Sequence, residues 1–365
     1  MYISQNSGHH RAALAIERAL RLLDQTVQTK SINSFNYTNP ILEKIINKTY
    51  MALIKKRPEV WEYLYDNPMI VKKSQRLKES IHKYNSGRMR SLLEDFRPDT
   101  IICTQAFPCG IVADMKKSGN LHTPLIGILT DYAPHSYWVY NDVNAYIVPS
   151  EETGQKLLQN GVSESKIKPF GIPVDPKFFT KHNREELLNK HSLDLNKPVV
   201  LIMGGGQGLG PMKKMVPLLD RSPVDFQAVV ITGKNKKLYN SLIKEKKHFK
   251  KKMLIYQFVE NIDELMEISS LILTKPGGLT TAEAMAKNLP MIVIHPLPGQ
   301  EMMNTRFLLE NKLAVKADDE KSAVVLLEEL LSNEEKLNNI RTDIKKKAKY
   351  DSSLKIARFV LEMAL

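Results

Sequence analysis

The sequence predicts an α/β protein with two domains, each built around a parallel sheet. Short apolar segments of β-type composition alternate with amphipathic helical patterns along the chain. Such near-continuous apolar segments, separated by helices, are typical of strands that are covered by helices on both faces of a sheet. With 365 residues, of which 42% are hydrophobic, the chain is long enough for two domains that each bury a core.

The predicted strands fall into two groups with a long interruption between them. The first group consists of the segments MYIS, DTIICTQ, PLIGILT and AYIVPS. The second group consists of KPVVLIMGGG, FQAVVITG, KMLIYQF, SLILTK and LPMIVIHP. The interruption, residues 168–198, is rich in prolines and polar residues, and a new strand begins after it at Val199.

This interruption places the domain boundary near Asp175. We therefore expect an N-terminal domain of residues 1–175 and a C-terminal domain of residues 176–350. The tail, residues 351–365, has a helical pattern, and we expect this last helix to pack back on the N-terminal domain.

The net charge of +13 predicts attraction to a polyanion, either a nucleic acid or an anionic membrane surface. Residues 233–253 place lysines on a helical pattern, which is typical of a solvated helix face. Residues 50–90 differ because apolar and aromatic side chains, from Trp61 to Val71, lie among the charges. This mixture suits a membrane interface, with ordinary core packing as the alternative. We find no nucleic-acid-binding module and expect no nucleic-acid partner.

The remaining composition favours a cytoplasmic protein. Cys103 and Cys109 lie in an apolar region without metal-ligand spacing, which indicates buried free thiols. The chain has no apolar run long enough for a spanning helix, and its first residues lack the basic flank and apolar core of a signal peptide.

Two glycine-rich loops, each between a predicted strand and a predicted helix, suggest a ligand with phosphate groups. The first loop covers residues 204–210 and the second covers residues 276–278. Glycine lets the backbone approach a phosphate closely, and a helix N-terminus adds free N–H groups and a positive dipole. The first loop is a weak signal by itself, since such turns are common and it lacks the Lys-Ser/Thr pair of a P-loop.

Polar side chains beside the second loop extend this interpretation to a nucleotide sugar. A phosphate at the helix start would leave Glu283 able to accept hydrogen bonds from ribose hydroxyls, although a carboxylate stabilised by the helix dipole is the alternative. Gln300, Glu301 and Asn304 follow the next strand and emerge at the carboxyl edge of the sheet, where open α/β folds bind ligands. Uridine diphosphate attached to a sugar would use each of these groups.

Several segments carry a family resemblance. They are, in chain order, SGHHRAA, LTDYAPHSYWVYNDVNAYIVPSEET, GIPVDPKF, LIMGGGQGLGPM and LTKPGGLTTAEAMAKNLPMIVIHPLPGQEMMN. Together they resemble the diacylglycerol glycosyltransferases, which include the plant monogalactosyldiacylglycerol synthases and the bacterial processive diacylglycerol glucosyltransferases. The peptidoglycan transferase that makes lipid II is a more distant relative, and the segment TDYAPHSYW distinguishes the glyceroglycolipid branch from it.

The resemblance implies a GT-B fold, in which two Rossmann-like domains face each other across a cleft. The N-terminal domain would bind the lipid acceptor and associate with the membrane, and the C-terminal domain would bind the UDP-sugar. It also implies an inverting reaction that transfers a hexose from an α-linked UDP-sugar, UDP-glucose or UDP-galactose, to diacylglycerol as a β-glycoside. The protein would act at the cytoplasmic face of a membrane as a peripheral enzyme. The sequence has no Asp-x-Asp motif, which agrees with stabilisation of the UDP leaving group by helix dipoles and basic groups without a metal or other cofactor.

The resemblance assigns the donor-site residues by motif. Gly205 and Gly206 approach the diphosphate, Glu283 holds the ribose, and Phe258 lies where the family reads uracil through backbone groups. The loop that closes on the nucleotide consists of Lys275, Pro276, Gly277 and Gly278. The residues that face the sugar or the diphosphate are Gln300, Glu301 and Asn304.

On the acceptor side the resemblance places Gly8 and His9 at the cleft. An inverting transfer needs a base near the acceptor hydroxyl, and a neutral imidazole suits this role, so His9 is the expected general base. The adjacent His10 stays an alternative on pattern alone. The motif has fewer glycines here than is usual in the family, and the strand before it is short.

Further acceptor-side residues come from the segment TDYAPHSYW. Asp131 would orient the base or the acceptor, with capping of the following turn as the alternative. His135 and Trp138 would line the acceptor groove, and the Trp138 ring would lie near the membrane interface.

Two other functions stay open. One is transfer of N-acetylglucosamine from its UDP-sugar to a polyprenyl-linked acceptor, against which TDYAPHSYW argues. The other, of a different class, is a non-catalytic basic binding protein. Glucose is slightly preferred over galactose as the donor sugar, since the bacterial branch often uses it.

Overall fold

The computed structural model describes residues 1–4, 7–40, 87–119, 121–134 and 136–364. The chain divides into two compact units. Among the described residues, the first unit consists of those within Met1–Pro176, Leu297–Gln300 and Asp351–Leu365. The second unit consists of Lys177–Pro296 and Glu301–Tyr350.

The described part of the first unit contains a four-stranded parallel sheet in the order β1-β2-β3-β4. The strands are β1 (Ile101–Cys103), β2 (Leu125–Ile128), β3 (Ala145–Ile147) and β4 (Ile167–Lys168). The predicted segment MYIS continues the hydrogen bonding beyond β1, because the Met1 carbonyl accepts a bond from the Thr104 N–H at 3.0 Å. On its other side Tyr2 forms a single parallel bridge with Asn33.

Helices cover both faces of this sheet. The side chain of Ser7 caps the first helix by accepting a hydrogen bond from the His10 N–H at 3.2 Å. The α-helices of the first unit are α1 (Gly8–Leu23), α2 (Ser34–Thr38), α3 (Ala106–Lys117), α4 (Glu151–Gln159) and the C-terminal helix (Ser352–Ala364). Residues 87–96 are also helical. Short 3-10 helices cover Ser136–Trp138 and Glu164–Lys166, and a third, Pro176–Phe179, lies where the chain passes between the units.

The first unit has an apolar core on each side of its sheet. On one side α1 and the C-terminal helix pack together, and Ile16 and Leu20 of α1 share a cluster with Ile356. The other core contains both cysteines, Cys103 and Cys109, which are buried and free, as the sequence predicts. The central strands β2 and β3 are therefore buried on both faces, which explains their apolar composition.

The second unit, all of whose residues are described, contains a six-stranded parallel sheet in the order β10-β9-β8-β5-β6-β7. The strands are β5 (Val199–Met203), β6 (Gln227–Ile231), β7 (Met253–Tyr256), β8 (Leu271–Thr274), β9 (Met291–Ile294) and β10 (Ala314–Ala317). The chain runs outward from β5 to β7 and then returns to the other side of β5 at β8. The carboxyl ends of β5 and β8 thus flank the topological switch point, where doubly wound folds bind ligands.

The helices of the second unit connect these strands on both sheet faces. They are α5 (Arg184–Lys190), α6 (Met212–Asp220), α7 (Lys236–Glu245), α8 (Ile262–Ile268), α9 (Gly278–Ala286), α10 (Gln300–Glu310), α11 (Glu320–Ser332) and α12 (Glu334–Lys347). A short 3-10 turn, Lys246–His248, follows α7. By the division into compact units Gln300 belongs to the first unit, and the rest of α10 to the second.

The prediction of two α/β domains with parallel sheets is confirmed. The edge strands β4 and β10 were not predicted. Within the described residues, no helix combines the length and the apolar character that crossing a bilayer requires. The predicted membrane-interface segment from Trp61 to Val71 lies outside the described residues.

Candidate active site

His9 lies at the start of α1 and contacts residues at the carboxyl ends of two neighbouring strands through its ring and its backbone carbonyl. Its Nδ1 lies 2.9 Å from Oγ1 of Thr130, which comes shortly after β2. Oγ1 of Thr104, which follows β1, donates a hydrogen bond to the His9 carbonyl oxygen at 2.9 Å. Two threonine hydroxyls therefore hold the ring and the backbone of this residue at the carboxyl edge of the sheet.

The surroundings of His9 favour its neutral form. Burial lowers the pKa of His9 from its ordinary value of 6.5, and the charge of the Asp131 carboxylate partly opposes this shift. The imidazole is therefore mostly neutral at pH 7. When Nδ1 carries the proton and donates a hydrogen bond to Oγ1 of Thr130, Nε2 presents a lone pair, which is what a general base requires.

His10 has a different environment. Its ring stacks on the ring of Tyr2, with centroids 4.3 Å apart and planes 29° apart. Burial lowers the pKa of His10, and the neighbouring Arg11 charge lowers it further. The contact with Thr130 at the sheet edge thus belongs to His9, while His10 packs against an aromatic ring. Gly8, the first residue of α1, is exposed.

The structure corrects the expectation for Trp138. The side chain is only 7% exposed and belongs to the core cluster of the first unit. Its ring packs over β2 at Gly127, where an added Cβ would lie 3.4 Å from the indole and 3.1 Å from the Tyr146 ring. A ring packed there contributes to the core and is too buried to lie at a membrane interface. His135 lies outside the described residues.

In the second unit, the first glycine loop follows β5 at the switch point. Gly205 and Gly208 have positive φ angles of 67° and 59°, which favour glycine. An added Cβ at Gly204 would lie 1.9 Å from the Leu209 carbonyl oxygen, and one at Gly208 would lie 1.9 Å from that of Thr232. These glycines are required by the fold of the loop itself, while Gly206 at its tip is exposed.

The second glycine loop follows β8, on the other side of the switch point. Its backbone closes on itself where the Gly277 N–H donates to the Lys275 carbonyl at 2.9 Å, and α9 begins at Gly278. Gly277 has ordinary φ and ψ angles of −67° and 137°. No described protein atom would lie within 4 Å of an added Cβ at Gly277 or at Gly205. Both loops therefore present glycine backbone to open space.

Lys275 links the structural elements around the switch point. Its Nζ forms an ion pair with Oε1 of Glu301 in α10 at 2.9 Å, and both side chains are largely buried. The aliphatic stem of Lys275 lies against the first loop, since an added Cβ at Gly210 would be 3.9 Å from its Cδ. An ammonium group is thus held where the carboxyl ends of β5, β8 and β9 are adjacent.

Asn304 has a different role from the one expected. Its side chain is fully buried, and its Nδ2 donates a hydrogen bond to the Pro276 carbonyl at 3.0 Å. This amide fixes the second loop from inside the unit and does not face a sugar. The reason is that the loop turns its Pro276 carbonyl inward, where it needs a donor.

Glu283 lies in the second turn of α9 and is 5% exposed. The first turn of this helix contains no acidic residue. The alternative interpretation, a first-turn carboxylate stabilised by the helix dipole, is therefore wrong. The side chain comes from the helix whose N-terminus follows the second glycine loop, as the ribose contact requires.

The other expected donor residues lie at the same edge of the sheet. Phe258 follows β7, and its side chain is exposed. Gln300 begins α10, immediately before Glu301 of the ion pair. In the described part of the chain, no group of three or more His, Cys, Asp and Glu side chains is placed to hold a metal ion.

Sequence reasoning missed two residues of the first unit, Thr104 and Thr130. Thr104 lies near the end of the predicted strand segment DTIICTQ and Thr130 ends the segment PLIGILT; in the structure both follow their strands, whose carboxyl ends meet at one edge of the sheet. Their positions were thus readable from the sequence, but a threonine after a strand is common and its hydroxyl has many local partners. Their contact with His9 becomes visible only once the strands are paired.

Solved structures with the same architecture define the class of protein. A UDP co-structure of Staphylococcus aureus MnaA has a TM-score of 0.62 at 15% identity and covers 100% of this chain and 96% of its own. MurG from Acinetobacter baumannii has a TM-score of 0.57 at 12% identity and covers 76% of this chain and 77% of its own. Two Rossmann-like α/β units, with glycine loops at the switch point of the second, are those of a GT-B protein.

Sequence relatives identify the family within this class. The family model for monogalactosyldiacylglycerol (MGDG) synthase matches residues 9–174, and that for the glycosyltransferase family 28 C-terminal domain matches residues 199–358. Proteins named processive diacylglycerol beta-glucosyltransferase from Bacillus thuringiensis (strain Al Hakam) and Bacillus cereus (strain AH820) are each 31% identical over 334 residues. The match covers 89% of this chain and 84% of each relative. The chain belongs to the diacylglycerol glycosyltransferase family.

Proposed function

We propose that this protein is an inverting glycosyltransferase that moves a hexose from a UDP-sugar to diacylglycerol and forms a β-glycosyl-diacylglycerol. The observation that carries the proposal is the 31% identity, along 89% of the chain, to proteins named processive diacylglycerol beta-glucosyltransferase. The two glycine loops and Glu283 at the switch point of the second unit support a UDP-sugar as the donor.

In this reaction the proton of the acceptor hydroxyl goes to His9. The hydroxyl oxygen of diacylglycerol forms a bond to the anomeric carbon while Nε2 of His9 takes its proton. The bond from the anomeric carbon to the diphosphate oxygen breaks, and UDP leaves with the electron pair. A single displacement of this kind inverts the configuration, so an α-linked donor gives a β-glycoside.

The second unit would stabilise the UDP leaving group through its own residues. Lys275 supplies a buried positive charge beside both glycine loops, and the N-terminus of α9 supplies free N–H groups and its dipole. Charge that develops on the diphosphate oxygens is then neutralised by the protein. We therefore expect the reaction to need neither a metal ion nor another cofactor.

The acceptor sets where the enzyme acts. Diacylglycerol resides in a bilayer, so a protein that uses it meets the membrane surface. The net charge of +13 supports attraction to anionic lipids. We propose a peripheral enzyme at the cytoplasmic face of a membrane, with no nucleic-acid partner.

The test is incubation of the purified protein with diacylglycerol in anionic vesicles and one donor, UDP-glucose, UDP-galactose or UDP-N-acetylglucosamine. Chromatography of the lipids and the anomeric proton coupling identify the product. We expect a β-glycolipid with one of the two hexoses and undiminished turnover in EDTA. If neither UDP-glucose nor UDP-galactose gives a glycolipid, the proposed function is contradicted. The names of the relatives favour glucose, while the name of the family model for residues 9–174 favours galactose.

A further inference from the structure

An exposed group of lysines in the second unit has no role in the reaction described above. Residues 233–253 contain nine lysines and a single acidic residue, Glu245. Most of these lysines are exposed on α7 and in the turn that follows it. We define the lysine face as Lys236, Lys237, Lys244, Lys246, Lys247 and Lys250.

Helical spacing places the charges of α7 on one side. Leu238 and Leu242 are buried and anchor the helix on the unit. Lys236, Lys237 and Lys244 are exposed, with Ile243 among them at 39% exposure. Because residues three or four positions apart lie on the same side of a helix, these side chains form one surface.

Within the described part of the chain, no carboxylate neutralises the lysine face. Elsewhere in the second unit exposed lysines pair with carboxylates; these pairs include Lys190–Glu264, Lys197–Asp225, Lys316–Asp318, Lys336–Glu329 and Lys346–Asp343. No lysine of the lysine face has an ion-pair partner among the residues that the structure describes. The sole acidic side chain of this segment, Glu245, accepts a hydrogen bond from Ser241 at 3.2 Å.

The start of α7 adds to this excess of positive charge. Lys236 and Lys237 occupy its first turn, which contains no acidic residue. A helix N-terminus carries a partial positive charge, so lysines there are unfavourable within the isolated unit. An external anionic surface would offset this repulsion. The adjacent helix α6 contributes two more exposed lysines, Lys213 and Lys214, and extends the charged surface.

We infer that the lysine face is a docking surface for an anionic lipid bilayer, an inference that rests on the proposed use of a bilayer-resident acceptor. Lysine ammonium groups attract the anionic headgroups, and the exposed side chain of Ile243 can enter the interface between headgroups and acyl chains. A nucleic-acid backbone would match the charges but would offer no apolar partner to Ile243. The second unit, which carries the donor loops, thereby contacts the membrane directly.

The experiment compares two variants of the full chain that each lose four positive charges. The test variant is K236Q/K237Q/K244Q/K247Q, and the matched control is K316Q/K336Q/K345Q/K346Q, from exposed lysines elsewhere in the same unit. Binding is measured by cosedimentation with phosphatidylcholine vesicles, with and without phosphatidylglycerol, over a range of salt concentrations. Since each basic residue near an anionic surface contributes several-fold to binding, we expect the test variant to bind the anionic vesicles at least about tenfold more weakly.

Three results overturn the inference. One is a test variant that sediments with anionic vesicles as well as the wild type does. Another is an equal loss in the control variant, which would show that net charge alone decides binding. The third is wild-type binding to a single-stranded oligonucleotide that is tighter than its binding to anionic vesicles at the same salt concentration.

A turnover assay separates this inference from the proposed function. With short-chain diacylglycerol in neutral detergent micelles, where no anionic surface is present, we expect the test variant to match the wild type. Loss of turnover there means that the lysine face acts on the reaction itself and overturns a pure docking role. If the wild type makes no glycolipid, the proposed function fails, while the sedimentation result still decides whether the face binds anionic bilayers.

Discussion

The carboxyl edges of the two sheets present groups of different kinds. At the edge of the first sheet, one titratable side chain, His9, is held by threonine hydroxyls at 2.9 Å. At the edge of the second sheet, two glycine loops present backbone to open space, and Lys275 lies between them. The first edge offers a proton acceptor and the second offers surfaces for a phosphate ligand.

Because of this difference, we expect substitutions at the two edges to impair different properties of the enzyme. In the proposed reaction His9 acts in the transition state, so its replacement should lower turnover and leave nucleotide affinity unchanged. A change at the glycine loops alters the shape of the ground-state site, so nucleotide affinity falls first. UDP affinity and turnover, measured separately, therefore distinguish the two edges.

The largest effect is expected for His9→Ala. Removal of a general base lowers kcat by about 10²–10⁴-fold, while the dissociation constant for UDP stays within about twofold of wild type. Steady-state kinetics and calorimetric titration with UDP give the two values. His10→Ala is the control, because its ring stacks on Tyr2 instead of contacting Thr130. Equal losses in both variants, or a parallel loss of UDP affinity in His9→Ala, would refute the assignment.

Lys275→Met should have the next largest effect. The change removes the charge beside the diphosphate and leaves the Glu301 carboxylate without its ion pair, so we expect kcat/KM to fall about 10²–10³-fold. The double variant Lys275→Met/Glu301→Gln should bind UDP better than Lys275→Met alone, since it lacks the repulsive carboxylate. Lys287→Met is the control, because Lys287 forms a similarly buried pair with Glu267 after the other end of α9. UDP affinity reduced as much by the control would count against a diphosphate role.

Gly277→Ala and Gly204→Ala should separate ligand space from loop packing. A methyl group at Gly277 meets no described protein atom within 4 Å, so the melting temperature should change little while UDP binds at least about tenfold more weakly. A methyl group at Gly204 would lie 1.9 Å from the Leu209 carbonyl oxygen, so this variant should lose about 1–3 kcal/mol of unfolding free energy. Thermal and chemical denaturation measure the stability of each variant, and titration with UDP measures its affinity for the nucleotide. Unchanged UDP affinity in Gly277→Ala would place the nucleotide elsewhere.

The smallest effect is expected for Asp131→Asn, and it concerns pH. The Asp131 charge raises the pKa of His9 against the larger lowering by burial, so its removal lowers this pKa further below 6.5. In the wild type kcat should be flat near neutral pH and fall as the imidazole becomes protonated at lower pH. In the variant this acidic limb should move to lower pH, with a several-fold lower plateau because the base is weaker. Asp142→Asn is the control. A shift of the acidic limb to higher pH in Asp131→Asn, or an equal shift in Asp142→Asn, would contradict the effect of Asp131 on the pKa of His9.

The central strands of both sheets were predictable from the sequence, while two of the edge strands, β4 and β10, were not. Strands such as β5 and β8 are buried along their whole length, so their apolar runs stand out. The edge strands β4 and β10 have one strand neighbour each, and their side chains are partly exposed. Lys316 in β10 is an example of a polar residue that such an edge permits. Apolar continuity therefore identifies strands with an unbroken apolar run and misses edge strands, such as β4 and β10, that contain a lysine.

The candidate site shows the same limit for side chains. The two glycine loops were predicted correctly as connections between strands and helices, because backbone conformation depends on the local sequence. The direction of a side chain, in contrast, depends on the hydrogen-bonding groups and the space that residues distant in sequence leave beside it. Asn304 turns inward because the Pro276 carbonyl needs a donor, and Trp138 packs over β2 because Gly127 leaves room for a ring. Neither contact can be derived from spacing along the chain.

The C-terminal helix has a consequence for how the polypeptide acquires its structure during synthesis. Ile356 and Ala357 share a cluster with Ile16, Ala19 and Leu20 of α1, so the part of this apolar stripe that the strands do not cover stays exposed until residues 352–364 have been synthesised. The second unit, whose residues lie between Lys177 and Tyr350, can mature earlier. The first unit therefore cannot complete its core before the second unit has been synthesised, and we expect a chain truncated after Tyr350 to expose part of the apolar face of α1 and to aggregate.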